Sequence, residues 1–399
     1  MDVAVLVGGA SPEHDVSLAS AAQVLAHLDR SRWRIWPVLL MRNGKWRVNR
    51  RPLAVADTWS AEQATVASHG MDSETMHAPM RPGAAIDFLL DVAGIEVAFP
   101  VLHGPFGEDG TVQGMLELCG IPFVGSGCGA SAVAMDKLRT RQVYRAGEIA
   151  MPKAYEPKVT FEQANAKDEF AALRAAIGTP AFVKVDASGS TVGIARIRSE
   201  QELSQFLTEN RGRFRRWYAE QAVCGEEITV AVLGNTGRNP RALPPIGIYP
   251  LDEDWFTHDA KYRTGATEEI IPPRGLSAAM IDQVQQLAVR CHELLVCDGL
   301  SRTDMIVTDT GPIVLETNTL PGMTTTSLYP RAAAAAGMTF SGLLDRLLEL
   351  ALERPSLVGV CGGAVVGGVV GGVVDGVVNA DGKQAASSPS SESEASAER

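Results

Sequence analysis

The chain has 399 residues, 45% of them apolar, and a formal net charge of −11. That length and apolar share suit two or three packed domains. The acidic balance, with no basic stripe, argues against nucleic acid or an anionic membrane as the main partner, although local groups can still bind ATP.

Strand and helix signals alternate from the start, as in α/β layers. VAVLVGG (3–9) reads as a buried strand running into a glycine turn. SPEHDVSLASAAQVLAHLD then has helical character: Ser11 can cap it, Pro12 suits its first turn, and acids follow. Such a helix end binds anions or shapes a pocket. GGASPEH is not G-x-G-x-x-G, so dinucleotide binding has little support. Glu13 and His14 also suit the plain role of helix-dipole partners. The N-terminus lacks a basic region and a long apolar core, so it does not read as a secretory signal.

WRIWPVLLM (33–41) predicts a second strand, and VAFPVLHG (97–104) another that ends in the glycine-rich loop HGPFGEDG. Residues 42–85 are mixed and turn-rich and take no assignment. His103 falls where open α/β sheets place ligands, with a structural histidine as the plainer alternative. A helix is expected at about 111–119, and a break near 135–150, where MDKLRTRQVYRAGEIAMP reads as one helix ending at Gly147 and Pro152. Lys137 is a lone lysine in that stretch.

Beyond the break the pattern changes to strands with tight loops. AFVKVDASGSTVGIARI (181–197) is a strand, a small-residue loop and a strand. Gly189, Ser190 and Thr191 would let backbone N–H groups approach a phosphate, with Lys184 in reach of the same phosphates; a plain hairpin tip is the alternative. No G-x-x-x-x-G-K-[ST] occurs in the chain. WYAEQAVCGEEITVAVLGN (217–235) is a strand, a turn and a strand. Two antiparallel sheets are expected, with helices at about 161–177, 199–211 and 277–296, and TFSGLLDRLLELALER closes the globular part as a helix.

DMIVTDTGPIVLETN (304–318) predicts a hairpin about Asp309-Thr310-Gly311. That turn pairs Thr308 with Pro312 and Asp304 with Glu316. Directly opposed like charges destabilise a sheet. Asn318 and Arg302 share the same face. A magnesium ion on Asp304, Glu316 and Asn318 would remove the repulsion and recruit phosphate oxygens; a solvated face with a surface ion pair to Arg302 is the alternative. NTLPGMTTTSL (318–328) follows, rich in small residues and hydroxyls as binding loops often are.

Cysteines at 119, 128, 224, 291, 297 and 361 form no C-x-x-C pair and no zinc spacing, so they read as small buried hydrophobes in a reducing cytosol. LVGVCGGAVVGGVVGGVV (357–374) is uncharged and long enough to raise the question of a membrane span, but its glycines disfavour a stable helix. The rest of the tail has the composition of disorder, and 356–399 reads as an appendage.

Taken in order over residues 3–350, GGASPEHDVSL, LHGPFGEDGTVQGMLELCGIPFVGSG, AMDKL, GEEITVAVL, HDAKY, LSRTDM and LETNTLPGMTTTSLYP resemble the blocks of the D-alanine–D-alanine ligases, members of the ATP-grasp superfamily. The resemblance implies an α/β (α+β) chain: an N-terminal open α/β domain at 1–134, then a two-part ATP-grasp fold of antiparallel sheets with helices. The two parts are a central subdomain at 135–235 and a C-terminal subdomain at 236–355, followed by the tail at 356–399. It also implies a cytoplasmic bacterial enzyme, usually a homodimer. Such an enzyme uses ATP and two Mg2+ ions, with Mn2+ able to stand in, to join two D-alanines through a D-alanyl phosphate for peptidoglycan synthesis. A basic pH optimum is expected, because the attacking amine must be deprotonated.

The roles it implies are specific. Lys137 and Lys184 match lysines that hold ATP phosphates, Glu220 and Val223 the adenine-site strand, and Glu227 the carboxylate on the ribose. Asp304, Glu316 and Asn318 match the metal ligands, and Arg302 the arginine at the reacting carboxyl oxygens. Glu13, with His103 nearby, matches the partner of the first D-alanine's ammonium. Gly322, Ser327 and Leu328 fall in the block for the second D-alanine's carboxylate. Ser190, Lys261 and Tyr262 match contacts that close over the site and link to Glu13.

Two positions depart from the family pattern: Lys184-Val185 replaces Lys-Pro, and Gly189-Ser190-Thr191 replaces Gly-Ser-Ser. Threonine keeps the hydroxyl, so tuning of the loop is expected rather than loss of function. The tail has no family counterpart. A ligase making D-alanyl-D-lactate or D-alanyl-D-serine is the rival within the class, and Lys261-Tyr262 favours the dipeptide. A catalytically silent ATP-binding protein should have lost a metal ligand or Arg302, and all are present.

Overall fold

The computed structural model describes residues 1–68, 74–186, 193–250 and 267–355. Its first sheet contains β1 (Asp2–Gly8), β2 (Arg34–Leu40), β3 (Trp46–Val48) and β4 (Val97–Leu102), with α1 (His14–His27), α2 (Ala61–Ser68), α3 (Pro82–Asp87) and α4 (Thr111–Leu118) between or after them. The strand order is β3-β2-β1-β4, with β1 parallel to both neighbours. All seven residues of β1 are buried, as a parallel strand covered on both faces requires. The chain leaves β1 toward β2 on one side and reaches β4 on the other, so the carboxyl end of β1 is a switch point, where such sheets open a crevice. The unassigned stretch 42–85 supplies β3, α2 and the start of α3.

Helices α5 (Cys128–Met135) and α6 (Lys137–Ala146) lead to the second sheet. It holds β5 (Ala154–Tyr155), β6 (Ala181–Val185), β7 (Ile194–Ile197) and β8 (Trp217–Gln221) in the antiparallel order β5-β8-β6-β7. One face packs on α7 (Ala166–Ile177) and α8 (Glu200–Asn210) through Phe161, Leu173, Leu203, Phe206 and Trp217. The third sheet follows: β9 (Glu226–Leu233), β10 (Arg241–Ala242), β11 (Ile246–Pro250), β12 (Thr267–Ile270), then α9 (Ala278–Leu294), β13 (Leu300–Thr308) and β14 (Gly311–Asn318). Its order is β12-β11-β9-β13-β14, with β10 on β9. Finally α10 (Leu328–Ala335) and α11 (Phe340–Leu352) join one core with α1, β1 and β9, so the first and third sheets share a hydrophobic interior.

Several expectations change in detail. The helix after β1 starts at His14, so Ser11 is not its cap and Pro12 is not in its first turn: Ser11 Oγ accepts the Glu13 amide at 3.0 Å, which places both residues in the turn before it. The helix expected from Met135 to Gly147 is present as α6, but it starts at Lys137, because Met135 ends α5. Asp136 is extended, and its carboxylate accepts the Arg139 amide at 3.0 Å, capping a fresh helix. The helix expected from 161 starts at 166, where Asn165 caps it. The two strands of 217–235 are not partners, since β8 lies in the second sheet and β9 in the third.

The hairpin closes by pairing Thr308 with Gly311, not with Pro312. A bulge between Met305↔Val314 and Asp304↔Glu316 leaves Leu315 as the extra residue and restores the expected opposition of the two acids. Cys291 and Cys297 are buried as expected, Cys119 and Cys128 are half-buried, and Cys224 is exposed. No helix among the described residues is long and apolar enough to cross a membrane. Gly189, Ser190, Thr191, Lys261, Tyr262, Cys361 and the Gly/Val tail lie outside the described residues.

Candidate active site

Asp304 and Glu316 face each other across β13 and β14, and Arg302 faces Asn318 two residues along. Each acid already meets a cation. Arg302 donates to both Asp304 oxygens, Nε to Oδ1 at 2.9 Å and Nη2 to Oδ2 at 2.7 Å. Thr229 Oγ1, on the neighbouring strand β9, adds a bond to Oδ1 at 2.6 Å. Arg302 is only 7% exposed, so this is not the surface ion pair of the plainer reading. Burial acts against its charge, but Asp304 first, then Glu316 and Glu108, outweigh that and raise its pKa.

Lys137, the first residue of α6, donates Nζ to Glu316 Oε2 at 2.7 Å. Burial pulls its ammonium down; Glu316, with help from Glu220 and Glu108, outweighs burial and leaves the pKa raised. Lys184 on β6 donates to Glu220 Oε2 at 2.6 Å, and Glu220 on β8 is buried. The Lys137 amide also donates to Asp186 O at 3.1 Å, tying α6 to the end of β6. The two lysines expected at phosphates therefore converge from different elements, each set on a carboxylate.

Val223 and Glu227, both half-buried, flank the crossing from β8 to β9, between the second and third sheets. At the switch point of the first sheet, Gly104 follows β4 with φ +70, and a Cβ there would lie 2.7 Å from Glu13 Oε2. The Glu13 carboxylate thus sits against the end of β4, beside His103, whose Nε2 is 3.5 Å from Ser20 Oγ. Gly104 N donates to Glu108 Oε1 at 3.0 Å. Ser327 precedes α10, whose first residue is Leu328. Ser327 Oγ lies 2.7 Å from Thr324 Oγ1, and a Cβ on Gly322 would come within 2.9 Å of it. A half-buried helix start of this kind suits a carboxylate.

Asp304, Glu316 and Asn318 supply hard oxygens on one face, the donor set a divalent cation such as magnesium takes. Arg302 and Lys137 show that this face is arranged to meet positive charge. The residues therefore fit the ion the resemblance implies. Among the described residues no group of three or more His, Cys, Asp or Glu is arranged to hold a metal.

Sequence reasoning passed over three residues here. Glu108 acts on both Lys137 and Arg302 from the HGPFGEDG loop. Arg141 holds the far oxygen of Glu220 at 2.6 Å. Arg216 binds Asp136 at 2.8 Å and also pairs with Asp186. The one available signal was helical spacing, which sets Arg141 four residues after Lys137 on one face.

The comparisons with known proteins follow the same outline. A family model described as D-ala D-ala ligase N-terminus matches residues 2–126, and one described as D-ala D-ala ligase C-terminus matches 149–349. The chain is 40% identical over 355 residues to a D-alanine–D-alanine ligase of Deinococcus radiodurans, covering 88% of this chain and 98% of that protein. A ligase of the same name from Syntrophobacter fumaroxidans is 39% identical, again with 88% and 98% covered. Among solved structures, the D-alanine-D-alanine ligase of Coxiella burnetii superposes with a TM-score of 0.69 at 28% identity, covering 89% of this chain and 96% of that one. The VanG D-Ala:D-Ser ligase of Enterococcus faecalis gives 0.70 at 29%, covering 88% and 99%. Two sheets that converge on paired lysines and acids, two matched family halves and this level of identity agree, and the chain belongs to the D-ala D-ala ligase family of ATP-dependent, divalent-metal-using ligases.

Proposed function

We propose that this protein joins two D-alanine molecules into D-alanyl-D-alanine with ATP, through a D-alanyl phosphate, for peptidoglycan precursors. The observation that carries the reading is the face of β13 and β14, where Arg302, Asp304, Glu316 and Lys137 meet beside the crevice holding Glu13. The partition into 1–134, 135–235 and 236–355, a homodimer and a cytoplasmic location belong to the same reading. Light scattering tests the homodimer.

The roles in this reading are those the family resemblance implies. Glu13, with His103, holds the ammonium of the first D-alanine. A carboxylate oxygen of that first D-alanine attacks the γ-phosphorus, forming the D-alanyl phosphate as ADP leaves. Lys137 and Lys184 hold the phosphates, Glu220 and Val223 the adenine, and Glu227 the ribose. Two magnesium ions held by Asp304, Glu316 and Asn318 would offset phosphate charge. The amine of the second D-alanine, its carboxylate at Gly322, Ser327 and Leu328, attacks the acyl carbon. Phosphate leaves, and the amine loses a proton. Arg302 stabilises the oxygens as charge builds. Ser190, Lys261 and Tyr262 close over the site and keep water from the acyl phosphate.

The test is phosphate release from ATP and magnesium with D-alanine, L-alanine, D-serine or D-lactate, followed by product mass. Release that needs D-alanine and yields the dipeptide is expected. A D-alanyl-D-serine product would favour the second reading that the VanG match supports. No D-alanine-dependent release would sink the ligase reading. Because only the neutral amine attacks, kcat/KM for the second D-alanine should rise about tenfold per pH unit while that amine is mostly protonated. A flat profile would place another step in control.

Gly104→Ala tests the Glu13 crevice. The added methyl lands on Ser11 Oγ and on the Glu13 carboxylate, in a backbone conformation that alanine resists. KM for the first D-alanine should rise about tenfold or more, with KM for ATP little changed, since one charged contact is worth about 1.5–3 kcal/mol. An equal rise in both constants would assign Gly104 a general structural role.

A further inference from the structure

Beyond the lysines, one buried arginine connects the two phosphate-facing elements. Arg141 lies on α6, one turn after Lys137, with its side chain 7% exposed. It donates Nη1 to Glu220 Oε1 at 2.6 Å and Nη2 to the Pro152 carbonyl at 2.7 Å. The other oxygen of Glu220 takes Lys184 Nζ at 2.6 Å. One carboxylate is therefore shared by two cations, one on each oxygen, and the triad holds one more positive charge than it cancels. Burying unbalanced charge is costly unless an anion arrives to match it.

We propose that Arg141 is a positioning residue for the nucleotide: by holding Oε1 of Glu220 it limits Lys184 to one oxygen and keeps that ammonium available to phosphate. This rests on the function proposed above. Without Arg141, Glu220 and Lys184 form a closed one-to-one pair, and phosphate must compete with the whole carboxylate for Lys184. The arrangement is anchored at both ends. Asp136 caps α6, Arg216 ties Asp136 to Asp186 at the end of β6, and the Lys137 amide donates to Asp186 O. Helix α6 thus carries Lys137 to Glu316 at its first residue and reaches Lys184, through Glu220, one turn later.

The test is calorimetric titration of the full chain with ATP and with adenosine, in the presence of magnesium and the absence of D-alanine. Arg141→Met should weaken ATP about tenfold or more, since charged hydrogen bonds contribute about 1.5–3 kcal/mol. It should weaken adenosine clearly less than ATP, since Lys184 still holds Glu220 at the adenine, and Arg141→Lys should recover most of the loss because it restores a cation at Oε1. Equal losses for ATP and adenosine, or none, overturn the proposal.

Arg141→Met leaves Glu220 with one partner and so risks misfolding, which thermal melting would reveal. The Glu220→Gln background gives a second comparison, with the same melting check on both variants. If Arg141 acts only through the Glu220 charge, adding Arg141→Met to Glu220→Gln leaves ATP affinity as in Glu220→Gln alone. A further tenfold loss there overturns the idea independently. A wild-type chain that binds ATP but forms no dipeptide sinks the ligase reading and leaves the Arg141 comparison standing. One that binds no ATP overturns both.

Discussion

Asp304→Asn should lower D-alanine-dependent phosphate release by about a hundredfold to a thousandfold, the usual loss when one group that stabilises transition-state charge is removed. Two effects combine. The amide removes one of three hard oxygen donors proposed for the metal, so the magnesium concentration needed for half-maximal rate should rise. It also takes the bidentate carboxylate from Arg302, which is held at 2.9 Å and 2.7 Å. The variant is close to isosteric and Thr229 Oγ1 keeps an oxygen partner, but the buried Arg302 loses its carboxylate, so the melting temperature should fall. The check is phosphate release against magnesium concentration for both proteins. A full rate with an unchanged magnesium requirement would remove Asp304 from the site.

Arg302→Met should cost about as much in kcat, with KM for ATP nearly unchanged. Arginine at the reacting oxygens acts on charge that develops only as the reaction proceeds, so its loss appears in kcat rather than in binding. Arg302→Lys should recover little, because a single ammonium cannot make the two-pronged contact with Asp304. The methionine variant also leaves Asp304 half-buried without its cation, and breaking such a pair costs about 3–5 kcal/mol. Saturating magnesium should return part of the lost melting temperature, since the proposed ion supplies the missing charge at the same oxygens. A higher KM for ATP with kcat unchanged would move Arg302 from the reacting centre to nucleotide binding.

Much of this site was legible from local pattern. The acids of the hairpin declared themselves because like charges were expected to face each other, and Asp304 does oppose Glu316. The reasoning reached that pairing through the wrong turn. Thr308 pairs with Gly311, and only the bulge at Leu315 moves the register back. A bulge leaves little mark in the sequence, because it needs one unpaired residue of almost any type. Likewise the helix expected over 135–147 begins two residues late, at Lys137, because Asp136 suits both a helix interior and a cap. The exposure of Cys224 could not be read, because cysteine gives no signal for which side of a turn it occupies.

Charge sharing was hidden for a different reason. Glu220 and Arg141 are 79 residues apart in the chain, and Lys137 and Glu316 are separated by 179. Nothing local marks either pair. Arg141 shows only helical spacing from Lys137, which a solvated face would show equally well.

The sequence by itself determined the alternation of strands and helices, the parallel opening and antiparallel continuation, and the residue types able to meet phosphate, metal and amino acid. These depend on side-chain periodicity and on glycine and proline, properties of neighbours in the chain. The tertiary structure alone decided that β8 and β9 belong to different sheets, that α6 carries Lys137 to Glu316, and that Glu220 lies between two cations. Those outcomes depend on burying apolar faces against one another. Burial brings distant charges together at separations where each must find a partner.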